Sequence, residues 1–92
     1  MILSFESKET QTLYETGKTT KFNQIARVAM RKLIQLDEAI AIEDLAVPPG
    51  NRLEALKGDR LGQHSIRINE QYRVCFVWNG KDADAVEICD YH

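Results

Sequence analysis

The chain is short of cysteine, proline and glycine, and it has no long apolar run. Two cysteines, Cys75 and Cys89, lack the paired spacing of a zinc site, and no staples hold the fold together. No stretch of about 18 apolar residues exists, so no spanning helix is expected. Met1-Ile2-Leu3-Ser4-Phe5-Glu6 has no basic region leading into an apolar run, so no signal peptide is read. Free thiols in a reducing, cytoplasmic setting follow as the expectation. No glycine-rich phosphate loop or Cys/His cluster is present, so neither cofactor nor metal is expected. A basic surplus is missing too: 12 Lys and Arg stand against 14 Asp and Glu, for a net charge of −2. That balance argues against binding nucleic acid by bulk charge and against a basic helix on a membrane.

What is present fits one soluble domain over residues 1–92, with 43% hydrophobic and 28% charged residues. Ile2 to Phe5 reads as a short strand. Ser7 is a candidate N-cap for a helix from Lys8 to Thr16, which Gly17 would end. Phe22, Ile25, Ala29, Leu33 and Leu36 recur at steps of three and four and form the apolar stripe of a second helix. A third, short helix is expected from Ala39 to Leu45, before Pro48-Pro49-Gly50-Asn51 stops helical structure. The second half reads as strands: a short one at Leu53–Leu56, then Gln63–Ile68, Tyr72–Trp78 and Ala85–Tyr91. Asn69-Glu70-Gln71 and Asn79-Gly80-Lys81-Asp82 are the turns. The expected class is α+β, with an N-terminal strand and two to three helices on one face of an antiparallel sheet.

Strand alternation assigns the faces. His64, Ile66 and Ile68, then Tyr72, Val74, Phe76 and Trp78, then Val86 and Ile88 would face the helices. Ser65, Arg67, Arg73, Cys75, Val77, Glu87, Cys89 and Tyr91 would point away, onto an exposed face. A three-residue turn pairs Ile68 with Tyr72 and so sets Arg67 opposite Arg73. Two like charges in direct opposition are unfavourable unless an anion lies between them. They form either a small basic site or two arginines fanned into solvent or paired with Glu87. Charge is segregated: residues 1–51 hold six basic and seven acidic groups, net −1. Residues 52–73 hold five and three, net +2, and residues 74–92 hold one and four, net −3. Asp90-Tyr91-His92 sets a carboxylate, a phenol and an imidazole together, either as acid–base machinery or as a polar tail. His64 has the parity of a satisfied core or edge histidine.

Leu56-Lys57-Gly58-Asp59-Arg60, Gly62, Ser65-Ile66, Tyr72-Arg73-Val74 and Asp90-Tyr91-His92 resemble the HigB toxins of the RelE/ParE superfamily of toxin–antitoxin systems. Pro49-Gly50-Asn51-Arg52-Leu53-Glu54-Ala55-Leu56 is similar to its GraT-like chromosomal branch. The resemblance implies a RelE-like fold. It also implies a metal-independent endoribonuclease that cuts mRNA in the A site of the 30S ribosomal subunit. A HigA-like helix-turn-helix antitoxin would neutralise it, with operator DNA bound only through that complex. By the resemblance, His92, Asp90, Tyr91, Arg73 and Lys57 are the catalytic candidates. Arg67, Arg60, Arg52 and Glu54 are secondary RNA- or phosphate-binding candidates. Some relatives carry histidine where this chain has Glu54. Two alternatives remain: a ParE-like poison of DNA gyrase, and an attenuated module that only holds an antitoxin.

Overall fold

The computed structural model describes residues 1–90. Helices α1 (Lys8–Thr16) and α2 (Ala26–Glu38) precede strands β1 (Glu54–Ala55), β2 (Gln63–Arg67), β3 (Tyr72–Trp78) and β4 (Ala83–Asp90). The strands form one antiparallel sheet in the order β1-β2-β3-β4. This is the expected α+β architecture.

Local chemistry sets the element ends. The Ser7 hydroxyl accepts the Thr10 N–H at 3.2 Å and starts α1. Gly17, at φ 76°, ends it by donating its N–H to Leu13 O at 2.8 Å. The β2–β3 and β3–β4 hairpins each turn on an asparagine. Asn69 Oδ1 accepts the N–H groups of Gln71 and Tyr72, and Asn79 Oδ1 accepts those of Lys81 and Asp82.

The helical stripe is divided. Ala29, Leu33 and Leu36 lie on α2, whereas Phe22 and Ile25 belong to the turn that leads into it, with a 3-10 turn at Asn23–Ile25. The expected third helix is only a 3-10 turn, Ile42–Ala46. Its start is held by Asp44, whose carboxylate accepts the N–H groups of Ile40 and Ala41. A further short turn, Pro49–Asn51, follows.

The core matches the even face of the sheet. Ile66, Ile68, Val74, Phe76, Val86 and Ile88 pack with Leu13, Phe22, Leu33 and Leu36. At about 25 cal/mol per Å² of apolar surface removed from water, this layer supplies most of the stabilisation. Ala83 joins the core despite its odd number. A register shift opposite Cys75–Val77, with Ala85 at φ 51°, inverts the alternation along β4.

Ile2 to Phe5 pairs with β4 in parallel, through bridges Ile2–Ala83 and Phe5–Val86. It covers what would be an open edge. Ala83 and Val86 donate to the carbonyls of Met1 and Ser4, Ala85 donates to Ser4 Oγ, and Ile88 donates to the buried Thr10 Oγ1 of α1.

The odd face departs from expectation. Ser65, Cys75 and Cys89 are buried, and Leu56 packs on the two cysteines in a second, small cluster. The pairing Glu54–Ser65 places the even residues of β1 on this face, so Leu56 covers it.

His64 is half-buried and stacks on Phe76, with ring centroids 6.2 Å apart. Its Nδ1 is buried without a hydrogen-bond partner among the described residues, so it is not the satisfied histidine expected.

Candidate nucleic-acid site

The register Arg67–Arg73 is observed. The two guanidiniums are drawn apart by different partners. Arg67 Nε donates to the Asn69 carbonyl at 3.1 Å. Arg73 Nη1 donates to the buried Ser65 hydroxyl at 2.8 Å and lies 3.3 Å from Glu54 Oε1. Between them opens a groove of about 390 Å³ lined by Arg52, Arg67, Asn69, Glu70 and Arg73. Three arginines and one glutamate give its wall a net charge of +2 on a chain of net −2. Such a concave, cationic surface suits an anion that accepts hydrogen bonds on several sides, as phosphate does.

Glu87 does not pair with Arg67 or Arg73. Its carboxylate receives Arg60 Nη1 at 2.9 Å, and Arg60 also reaches Gln63 at 3.0 Å. The bond to Glu87 holds the Arg60 guanidinium above its ordinary pKa. Arg60 therefore braces the odd face and does not line the groove. Lys57 is exposed, where β1 gives way to the turn Gly58–Arg60, and it does not line the groove either.

Beneath Arg60 and Arg73 lie the two thiols. Cys75 pairs with Glu87, and Cys89 pairs with Arg73, so the cysteines are diagonal neighbours across β3 and β4. The neighbouring Cys75 thiol, together with burial, pushes the Cys89 thiol well above its ordinary pKa. It stays protonated and acts as packing under the arginines.

Asp90 ends the described part of β4 opposite Tyr72, one residue from Arg73 in the neighbouring strand. Gln71 Nε2 donates to its Oδ2 at 3.0 Å. The end of β4 thus sits beside the turn that carries Asn69 and Glu70 into the groove. Tyr91 and His92 lie outside the described residues.

The structure therefore gathers Arg52, Arg67 and Arg73 around one groove and brings Glu54 to Arg73, while Asp90 shares the register and the sheet face of Tyr72, opposite to that of Arg73. Three contributors were not singled out from the sequence. Ser65 was legible in principle, since the alternation that turned Arg73 outward turned Ser65 the same way and the hairpin register put them diagonally across. Gln71 and Asn69 were read only as turn residues, and their side-chain roles left no mark in hydropathy.

The chain matches, over residues 3–92, the family model described as RelE-like toxin of type II toxin–antitoxin system HigB. It is 44% identical over 80 residues to Toxin HigB-1 of Vibrio cholerae serotype O1, covering 85% of this chain and 84% of that one. It is 30% identical to Endoribonuclease HigB of Proteus vulgaris over 98 aligned positions, covering all of both. Among solved structures, the YoeB-YefM complex from Staphylococcus aureus has a chain of the same fold, with a TM-score of 0.57 at 19% identity. The match covers 100% of this chain and 98% of that one. The family match along nearly the whole length and the relatives that go with it settle the kinship: this chain belongs to the HigB-like family of RelE-like toxins of type II toxin–antitoxin systems.

Proposed function

We propose that the chain is an endoribonuclease that cuts mRNA presented in the ribosomal A site and so stops translation. A HigA-like helix-turn-helix antitoxin holds it inactive in the cytoplasm and carries the pair to operator DNA. The observation that supports this best is the arginine groove beside the end of β4. The name of the Proteus vulgaris relative, alike along its full length, supports the activity.

RNA supplies its own nucleophile, the ribose 2′-hydroxyl. Its oxygen attacks the adjacent phosphorus, the bond from phosphorus to the 5′-oxygen breaks, and a 2′,3′-cyclic phosphate and a 5′-hydroxyl result. The reaction needs a proton acceptor at the 2′-oxygen, a donor at the 5′-oxygen, and cations on the phosphate. Arg73, steadied by Ser65, holds the scissile phosphate with Arg67 assisting, and Lys57 adds positive charge from outside the groove. His92 moves a proton, Asp90 orients it, and Tyr91 stacks on a base or orients the 2′-hydroxyl. A chain of net −2 has weak affinity for free RNA at ordinary salt, and the ribosome delivers the message instead.

Glu54 favours a second reading. Its carboxylate already occupies Arg73, as it would in an attenuated module that binds antitoxin without cutting. Primer extension on mRNA after induction, with and without ribosomes, separates the two. Ribosome-dependent cuts that vanish in Arg73→Ala support the nuclease. Intact mRNA in the presence of antitoxin binding supports the attenuated module, and gyrase inhibition without cutting would move the chain to the ParE-like class.

A further inference from the structure

The segment Pro48–Arg52 is unusually constrained for an exposed loop. Asn51 is completely buried, and every polar group of its side chain is engaged. Its Oδ1 accepts Lys32 Nζ, and its Nδ2 donates to Leu45 O at 3.0 Å and to Gln35 Oε1 at 3.0 Å, with Val47 O at 3.4 Å. Gln35 in turn donates to Val47 O at 2.6 Å. Burial lowers the pKa of Lys32, so α2 gives up part of an ammonium's hydration to hold this amide. The backbone is tied as well: Asn51 N–H donates to Pro48 O and Arg52 N–H to Pro49 O.

All this fixation ends at Arg52, which sits in the left-handed region at φ 47° and ψ 52°. Glycine takes that conformation freely, and a residue with a Cβ does not. Strain of this kind persists where the surroundings over-determine it, and it collects at functional positions. Arg52 is exposed and lines the groove beside Arg67 and Arg73. Its neighbours there are steadied by Asn69, Ser65 and Glu54, whereas Arg52 is aimed by its backbone.

We propose that Arg52 binds a second RNA phosphate, next to the one held by Arg73, and that Asn51 is its positioning residue, anchored to α2 through Lys32 and Gln35. The inference rests on the nuclease reading above and adds a substrate contact to it. Arginine is kept at a position that suits glycine because a guanidinium there extends the grip along the RNA backbone. Glu70 contributes the groove's one negative charge on the same wall.

The experiment uses the whole chain and a short single-stranded RNA made uncleavable by 2′-O-methyl groups. Affinity is followed by fluorescence anisotropy across a series of low salt concentrations. Removing the partner of one phosphate should reduce the slope of log K against log salt by about 0.7. Arg52→Gly should show that reduction while its Tm stays level or rises, since glycine relieves the backbone. Arg52→Lys should keep the wild-type slope. Asn51→Ala should lower both slope and Tm, and adding it to Arg52→Gly should take no further slope. A merely structural role for this loop would move Tm and leave the slope alone. Arg73→Ala is the reference. If Arg73→Ala reduces the slope and Arg52→Gly does not, the second phosphate site is overturned and the nuclease reading stands. If neither changes it, the groove is not where RNA binds and both are overturned. A lower Tm in Arg52→Gly overturns the argument from strain.

Discussion

The two faces of the sheet are built from the same strands and do different work. The even face buries aromatic and branched side chains against two helices. Among the described residues the odd face buries only Leu56, Cys75, Cys89 and Ser65, with Arg60, Arg67 and Arg73 standing on the same face. One face is large and apolar. The other is small, with its polar groups held by named partners. A sheet of four strands can therefore carry most of its buried apolar surface on one side and leave the other free to specialise.

The largest test removes material from each face in turn. Phe76→Ala should cost about 3–5 kcal/mol, and Leu56→Ala about 2 kcal/mol, by denaturant or thermal unfolding. Equal losses would erase the distinction between a major and a minor core. On the functional side, deleting His92 should reduce ribosome-dependent mRNA cleavage by about 10²–10⁴-fold with Tm unchanged. Full activity in the deleted protein would remove His92 from the mechanism. Arg73→Ala should lower cleavage by about 10²–10³-fold. Arg27→Ala and Arg31→Ala, exposed on α2, should have little effect, and equal losses in all three would mean that diffuse charge docks the protein.

The smallest effect lies away from both faces. Backbone N–H groups of Ala41 and Ile40 hold the Asp44 carboxylate below its ordinary pKa. A lowered folded value means that this contribution to stability is complete above the unfolded value of 3.8 and is lost as pH falls through the folded one. The Tm gap between wild type and Asp44→Ala should be small at neutral pH and should close in acid. A gap that widens in acid would reverse the sign.

Much of the fold was readable because local rules and face patterning agreed. Ser7 and Gly17 bracket α1, both asparagine turns are where the polar tripeptides and tetrapeptides put them, and Arg67 does meet Arg73. Alternation reports which way a side chain points, however, and not what lands on it. The odd face was expected to be open because nothing in β2 to β4 reveals that β1 brings Leu56 over the cysteines and Glu54 to Arg73. The bulge at Ala85 was equally hidden, since the residue there is one that rarely takes positive φ. The Asn51 network depends on α2 meeting a loop 16 and 19 residues later, a distance over which hydropathy patterns carry no information.

The pairing of Ile2–Phe5 with β4 bears on when the molecule becomes complete. The Met1 ammonium meets Asp82 at a separation of 81 residues, and Ser4 meets Ala85 and Val86 across a similar span. Contacts this remote along the chain slow the search for the native state. They also order it: the segment synthesised earliest has no lattice to join until the β4 stretch exists. Arg73 of the groove lies on β3, which pairs with that same late strand, so the sheet beneath the groove closes only once β4 has been made.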